Sequence, residues 1–268
     1  MTPSLLSASV ELRRSDPELV VLVCLRDQAD TLDEAITSIA NQAGFSWRLT
    51  VIIGDDRSRD AWHRAISGIV IPGHIVTCSL NAGTPARARN QLLELVSCSA
   101  PRCRAIVRLD GDDLLAHPHV LRDIEHLLTR RVAMPGVPRE PQSILGGNLQ
   151  ANRQGQFIRA NMPDVSLATK RGLLECLERM ANGDLHAEMP SCNLILTPPF
   201  LHRYPNLSSA EDHALVARLL ANGTLSVIPD LLVSVYRLAG QGTSCAKAKG
   251  RHRDARAEIL REISGIHS

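Results

Sequence analysis

The sequence predicts an α/β fold: a mostly parallel, Rossmann-like sheet with helices on both faces and a less regular second half. Three observations predict it. Runs such as Glu18–Leu25 (ELVVLVCL) are almost wholly apolar, as strands buried on both faces of a sheet must be. Between the runs lie segments in which apolar residues recur at helical spacing, and strand-helix-strand alternation implies parallel neighbours. Acids follow two of the runs, at Asp55-Asp56 and at Asp110 to Asp113, and ligands of such sheets gather at the carboxyl ends of the strands.

Residues 1–17 mix small and polar side chains and end in Pro17, so they read as a tail before a domain spanning 18–245. After the first strand, Thr31 and Glu34 have capping-box spacing, and Leu32, Ile36, Ile39, Ala40 and Ala43 carry a helix onward. Leu49–Ile53 is the second strand, followed by a helix at 60–68 and a short strand at His74–Cys78. Thr84-Pro85 supplies an N-cap and a first-turn proline for a helix reaching Ser97. Ala105–Leu109 is the next strand, and Pro118 opens a helix with Val120, Leu121, Ile124, Leu127 and Leu128 on one face. Residues 130–142 hold three prolines and read as a connection. Beyond it come a strand at Ser143–Leu149, a helix at 166–181, a strand at Asn193–Thr197, a helix at Ser209–Ala221 and an extended segment at Val227–Tyr236. Gly240–Ser244 reads as a flexible loop, and 246–268 as a basic helix presenting mostly a solvated face.

Bulk composition narrows the function. With 268 residues the chain is long enough to bury a substantial core, and 44% hydrophobic with 22% charged content is that of a soluble globular protein. A formal charge of +2 and 3% aromatic residues argue against a nucleic-acid binder. No apolar stretch is long enough to cross a bilayer and no signal peptide is visible, which leaves peripheral membrane contact open but not a transmembrane anchor. The seven cysteines are scattered, without the paired spacings of a zinc site or a disulfide framework. A cytoplasmic location fits best.

The segment Arg108-Leu109-Asp110-Gly111-Asp112-Asp113 packs three carboxylates into four positions. Carboxylates this close raise one another's pKa unless a cation or a hydrogen-bond network neutralises them. On an extended segment Asp110 and Asp112 would face one site, with Gly111 leaving room for a ligand. A few carboxylates suit magnesium or manganese, whose other positions are filled by water and substrate phosphates, so Asp110, Asp112 and Asp113 are the candidate metal residues. An EF-hand is excluded, because its sixth and twelfth positions counted from Asp110 are Leu115 and Leu121. The alternative is that these acids end a strand and cap the next helix.

The order of motifs resembles the family 2 glycosyltransferases, which have the GT-A fold. The resemblance rests on Val20–Leu25 with Asp27, the run Val51 to Asp60 (VIIGDDRSRD), Asn81-Ala82-Gly83 with Ala88-Arg89-Asn90, the acid triplet, and Glu211-Asp212 opening a helix. It implies transfer of a sugar from a nucleoside-diphosphate donor to an acceptor hydroxyl of a glycan, a lipid-linked precursor or a small metabolite, with inversion at the anomeric carbon. It further implies a divalent metal at the Asp-x-Asp motif and a catalytic base at Asp212, with Glu211 second. Asp27, Asp55, Asp56, Arg89, Asp110 and Arg237 become the candidate contacts to nucleotide and diphosphate. Two positions depart from the pattern. Ala239 stands where many members have a histidine after Tyr-Arg-x, so Arg237, Thr243 or Ser244 would meet the diphosphate instead. Arg57 occupies a position where glycine is common.

Competing readings are fewer. Asp55 and Asp56 could form only an Asx turn, and Ser209 with Asp212, or Ser208 with Glu211, has capping-box spacing. His213 and His186 read as structural or acceptor-side residues. A sugar-phosphate nucleotidyltransferase would need a Gly-rich phosphate loop after the first strand, and Val23–Gln28 contains no glycine. A non-catalytic relative that binds nucleotide sugar is the other alternative, against which the retained acids argue.

Overall fold

The strands at Glu18–Leu25, Arg48–Asp55 and Cys103–Asp110 are apolar along most of their length because helices cover both faces of the sheet there. The computed structural model describes residues 17–100, 102–132, 143–152, 154–184, 189–207, 209–238 and 246–265. In chain order the elements are β1 (Glu18–Leu25), α1 (Ala29–Ala40), β2 (Arg48–Asp55), α2 (Trp62–Ala65), β3 (His74–Ser79), α3 (Pro85–Ser99), β4 (Cys103–Asp110), β5 (Leu114–Leu115), α4 (Val120–Val132), β6 (Ser143–Ala151), β7 (Phe157–Asn161), α5 (Lys170–Ala181), β8 (Leu194–Leu196), α6 (Glu211–Ala221), β9 (Leu225–Arg237) and α7 (Ala246–Ser264). The sheet runs β3-β2-β1-β4-β8-β6-β9-β5, with β7 added to β6. Pairing is parallel from β3 through β4 and mixed beyond it.

The period of two along β1 divides the core. Leu19, Val21, Val23 and Leu25 pack with α1 and α4, whereas Val20 and Leu22 join a second cluster with α3, α5, α6 and α7. Each such side chain contributes about 1.5–3 kcal/mol on burial. Leu32, Ala35, Ile36 and Ile39 of α1 are buried as their spacing predicts.

Several expectations need correction. No capping box forms at Thr31: α1 begins two residues earlier, and the Thr31 hydroxyl donates to the carbonyls of Gln28 and Gly111. The N-terminus of α1 is capped from a distance, by Asp60 Oδ2 accepting from Ala29 N at 2.8 Å. The helix expected at 60–68 is one turn, α2, and the start of the 166–181 helix is a separate 3-10 turn at Val165–Ala168. β7 carried no readable strand signal, because its apolar Phe157 and Ile158 are both exposed and show no alternation. The C-terminal helix is mostly solvated, as expected, but it also docks on the core. Ala255 and Ile259 are buried in the core, and Arg218 of α6 makes two hydrogen bonds to Glu262, at 2.7 and 2.9 Å. Residues 1–16, most of the Pro-rich connection, His186, Ser208, Ala239 and the 240–244 loop lie outside the described residues.

Replacing Asp60 with alanine should remove the distant cap and lower the unfolding free energy by about 1 kcal/mol. Urea denaturation reads this as a lower midpoint with unchanged slope; an unchanged midpoint would show that water caps α1 equally well.

Candidate functional site

Strand register brings the candidate residues to one edge. Cys24 of β1 pairs with both Gly54 of β2 and Asp110 of β4, and Leu25 pairs with Asp55, so three strands end at one level. Past that level the chain turns. Asp110 is the last strand residue, and Asp113 N donates to Asp110 O at 3.0 Å, closing a turn over 110–113. Asp110 and Asp112 therefore do not alternate on an extended segment as expected. Nor does Gly111 leave space for a ligand: a Cβ there would lie 2.8 Å from Gln28 Oε1 and 3.2 Å from Leu25 Cβ. The glycine instead admits the Gln28 side chain, which favours the charged form of Asp112.

The acids of β2 organise loops. Asp55 Oδ1 accepts from Ser58 N at 2.8 Å, the Asx turn foreseen as an alternative. Asp56, 4% exposed, accepts from Ala82 N at 2.8 Å and from Gly83 N at 3.0 Å, with Arg26 at 3.8 Å. Its carboxylate thus pins the Asn81–Gly83 loop from beneath. Arg57 has φ of 63°, which explains why glycine suits this position. Asp27, also left-handed with φ of 53°, is exposed and accepts from the backbone and guanidinium of Arg59 at 2.7 and 3.0 Å. Those contacts hold its carboxyl below the usual range.

α3 and α6 deliver the remaining groups. Thr84 caps α3 with Pro85 in its first turn, as expected, and the helix presents Arg89 inward. Arg89 donates to Glu211 and, through Nη2, to Asp110 at 3.2 Å; its guanidinium lies 5.5 Å from the Tyr204 ring centroid. Asn90 holds Tyr204 in place by two 2.8 Å hydrogen bonds to its backbone. At α6 the capping-box alternative is not what forms. The N-cap is Ala210, with φ of 57° and no side-chain cap, and Asp212 Oδ1 accepts from His213 N at 2.8 Å. Both acids lie in the first turn, where the helix dipole favours negative charge.

The residue whose role the sequence did not disclose is Arg108. Two positions before Asp110 on β4, it shares that residue's face, is 6% exposed, and places Nη2 3.3 Å from Asp110 Oδ2 and Nη1 3.8 Å from Asp212 Oδ2. The signal was the arginine itself, sitting in a strand otherwise apolar at Ala105, Ile106, Val107 and Leu109. Tyr204 and Gln28 had no comparable signal.

Charge sorts the acids. Burial opposes ionisation of Asp110, but Arg108 and Arg89 outweigh it and hold its carboxyl below the usual range. Burial likewise opposes Asp212, and His213, Arg108 and Arg89 together hold it well down. Asp113 goes the other way: burial and the charges of Asp110 and Asp112 push it far up, and its Oδ1 accepts from Arg237 N at 2.9 Å. The Arg237 side chain is drawn to Glu34 of α1, away from a free role at the rim. Asp112 is raised to about 6 by burial and by Asp110.

Among the described residues no three His, Cys, Asp or Glu side chains converge on a ready-made metal site. Asp110 is already paired with two arginines and Asp113 with a backbone amide, which leaves Asp112 as the acid of the three least engaged by the fold. One such carboxylate fits magnesium or manganese, which take most ligands from water and phosphate.

A mixed sheet of this order, parallel from β3 through β4 and with acids at its carboxyl edge, has the GT-A architecture. The chain belongs to glycosyl transferase family 2, whose profile matches residues 20–180. That match ends before Glu211. Similar solved structures include Staphylococcus aureus TarS 1-349 in complex with UDP-GlcNAc, with TM-score 0.63 and 17% identity over 92% of this chain and 71% of that one. The complex of the same TarS segment with UDP gives TM-score 0.60 and 17% identity over 92% and 70%. No curated protein sequence matches.

The position of Asp112 has a measurable cost. Its folded pKa lies above the ordinary carboxylate value, so native stability is lost as pH rises toward about 6 and stays reduced above it. In metal-free buffer at pH 8, Asp112→Asn should raise the unfolding free energy by on the order of 1–2 kcal/mol, a gain that shrinks at pH 5. A gain independent of pH would mean that the acid is not the source.

Proposed function

We propose that this glycosyltransferase moves a sugar from a nucleoside diphosphate to an acceptor hydroxyl with inversion, using Asp212 as base. One observation carries the reading. The acid turn at 110–113 and the acid pair at 211–212, far apart in sequence, meet across Arg89 and Arg108 at the carboxyl edge of the sheet. A single displacement needs this arrangement, with one region for the leaving diphosphate and another for the acceptor's proton.

In that reaction the acceptor oxygen bonds to the anomeric carbon as the carbon–oxygen bond to the diphosphate breaks. The bonding pair stays on the diphosphate oxygen, and the acceptor proton passes to Asp212. Glu211 has its carboxylate taken up by Arg89, whereas Asp212 is ionised at neutral pH and its Oδ2 stands 3.8 Å from Arg108, beyond hydrogen-bond range. Asp27 and Asp55 at the rim are placed for the nucleoside, with Asp56 supporting the loop under it. Asp112 would hold a divalent metal, with Asp110 beside it; when bound, such an ion neutralises charge developing on the diphosphate. The ligands of the TarS complexes, UDP and UDP-GlcNAc, are the first probes to try. The six described cysteines are all free thiols, which supports the cytoplasmic reading, and no described helix is long and apolar enough to cross a membrane.

With manganese and a panel of UDP-, GDP-, CDP- and dTDP-hexoses, at least one donor should release its nucleoside diphosphate. No release from any of them would sink the transferase reading. Asp212→Asn should lower turnover about a thousandfold while leaving donor affinity nearly intact; near-normal turnover removes Asp212 as base. Asp112→Ala should instead weaken manganese-dependent donor binding at least tenfold, by loss of a charged ligand. Calorimetry that finds unchanged affinity would reject Asp112 as the metal residue.

A further inference from the structure

The surroundings of Arg108 are wrong for a residue that serves only the fold. Leu22, Ile106, Leu194, Leu196 and Tyr204 line the small cavity at its side chain. Burying a guanidinium among such groups costs several kcal/mol unless its partners are well placed, and replacing a buried ion pair by an apolar residue of similar volume is often neutral or stabilising. Its hydrogen bonding is also incomplete. Nε and Nη1 are buried without a hydrogen-bond partner, and only Nη2 is engaged, by Asp110.

What Arg108 does have is position. Nη1 stands 3.8 Å from Asp212 Oδ2, while Oδ1 of the same carboxylate accepts from His213 N. One oxygen of Asp212 is therefore held by a hydrogen bond at the start of α6, and the other faces the β4 guanidinium as an ion pair without a hydrogen bond. Arg89 cannot substitute, because its two terminal nitrogens already serve Glu211 and Asp110.

We propose that Arg108 is a positioning residue for the reaction: it fixes the Asp212 carboxylate relative to Asp110, so that base and donor pocket keep one geometry. The inference rests on Asp212 being the base. It goes beyond that assignment in saying that β4, which ends in the donor-side acid, also orients the acceptor-side one. Without the guanidinium, Asp212 would still ionise, and Asp110 would keep Arg89 as its partner, so the donor would still bind. The carboxylate would lose its orientation toward the acceptor oxygen, and misplacement of a reacting group costs turnover rather than affinity.

The test uses the full-length chain, manganese and the same panel of UDP-, GDP-, CDP- and dTDP-hexoses, with release of nucleoside diphosphate as the readout. Arg108→Met, similar in length and apolar, should lower kcat about a hundredfold and change the donor KM less than threefold. Arg108→Lys, which keeps the charge, should recover at least tenfold of that loss. Placed on Asp212→Asn, Arg108→Met should cause no additional loss, because two residues acting through one step are not additive. If Arg108→Met fails to fold, Arg108→Gln and the Asp212→Asn double variant carry the same comparison. Wild-type kcat in Arg108→Met, a parallel rise in donor KM, or a further tenfold loss on Asp212→Asn would each overturn the inference. An active Asp212→Asn would instead overturn the base assignment beneath it, so the two failures are distinguishable.

Discussion

The structure depends on neutralising five charged groups in a poorly solvated layer between β4, α3 and α6. Arg89 and Arg108 supply two positive charges, and Asp110, Glu211 and Asp212 supply three negative ones. None of these groups would be tolerated there alone, because an unpaired buried charge is among the most costly things a fold can contain. Each element must therefore arrive in register with the others. The residual negative charge, together with Asp112 beside it, makes the edge receptive to a cation or to a ligand that brings one.

Around that layer, side chains pin backbone rather than reach for solvent. Asp56 pins the Asn81–Gly83 loop, Asn90 pins Tyr204, Asp60 caps α1, and Asp113 accepts from the amide of Arg237. Three of the described non-glycine residues with left-handed backbone, Asp27, Arg57 and Ala210, follow β1, follow β2 and precede Glu211 respectively. Such conformations cost of order 1–3 kcal/mol each and persist only where surrounding contacts enforce them. Their concentration at one edge marks where the fold gives up local stability to place groups.

The parallel half of the fold was legible because its signals are local. Apolar runs of β1, β2 and β4 announce strands buried on both faces, and Thr84-Pro85 announces the start of α3. The family, too, was readable from motif order, and the profile match over residues 20–180 agrees. Less was readable where the signal is not periodic. β7 pairs only at the sheet's margin with both apolar side chains exposed, and α7 hides a narrow apolar strip, Ala255 and Ile259, beneath a charged composition.

Sequence by itself determined the order of the elements in the parallel half and the family, and pointed to the acids at the sheet edge, because periodicity and short motifs are encoded within a few neighbouring residues. Only the tertiary structure decided what each acid does. Asp56 became a loop support, Asp113 a backbone acceptor, Asp110 the shared partner of two arginines and Asp112 an acid raised by burial and by Asp110. Arg108 and Arg89 meet Asp212 and Glu211 across more than a hundred residues of chain, and no local pattern records such a contact. Chemical role here follows from which charge lies within 4 Å, and at that range the Coulomb interaction depends on the fold rather than on separation along the chain.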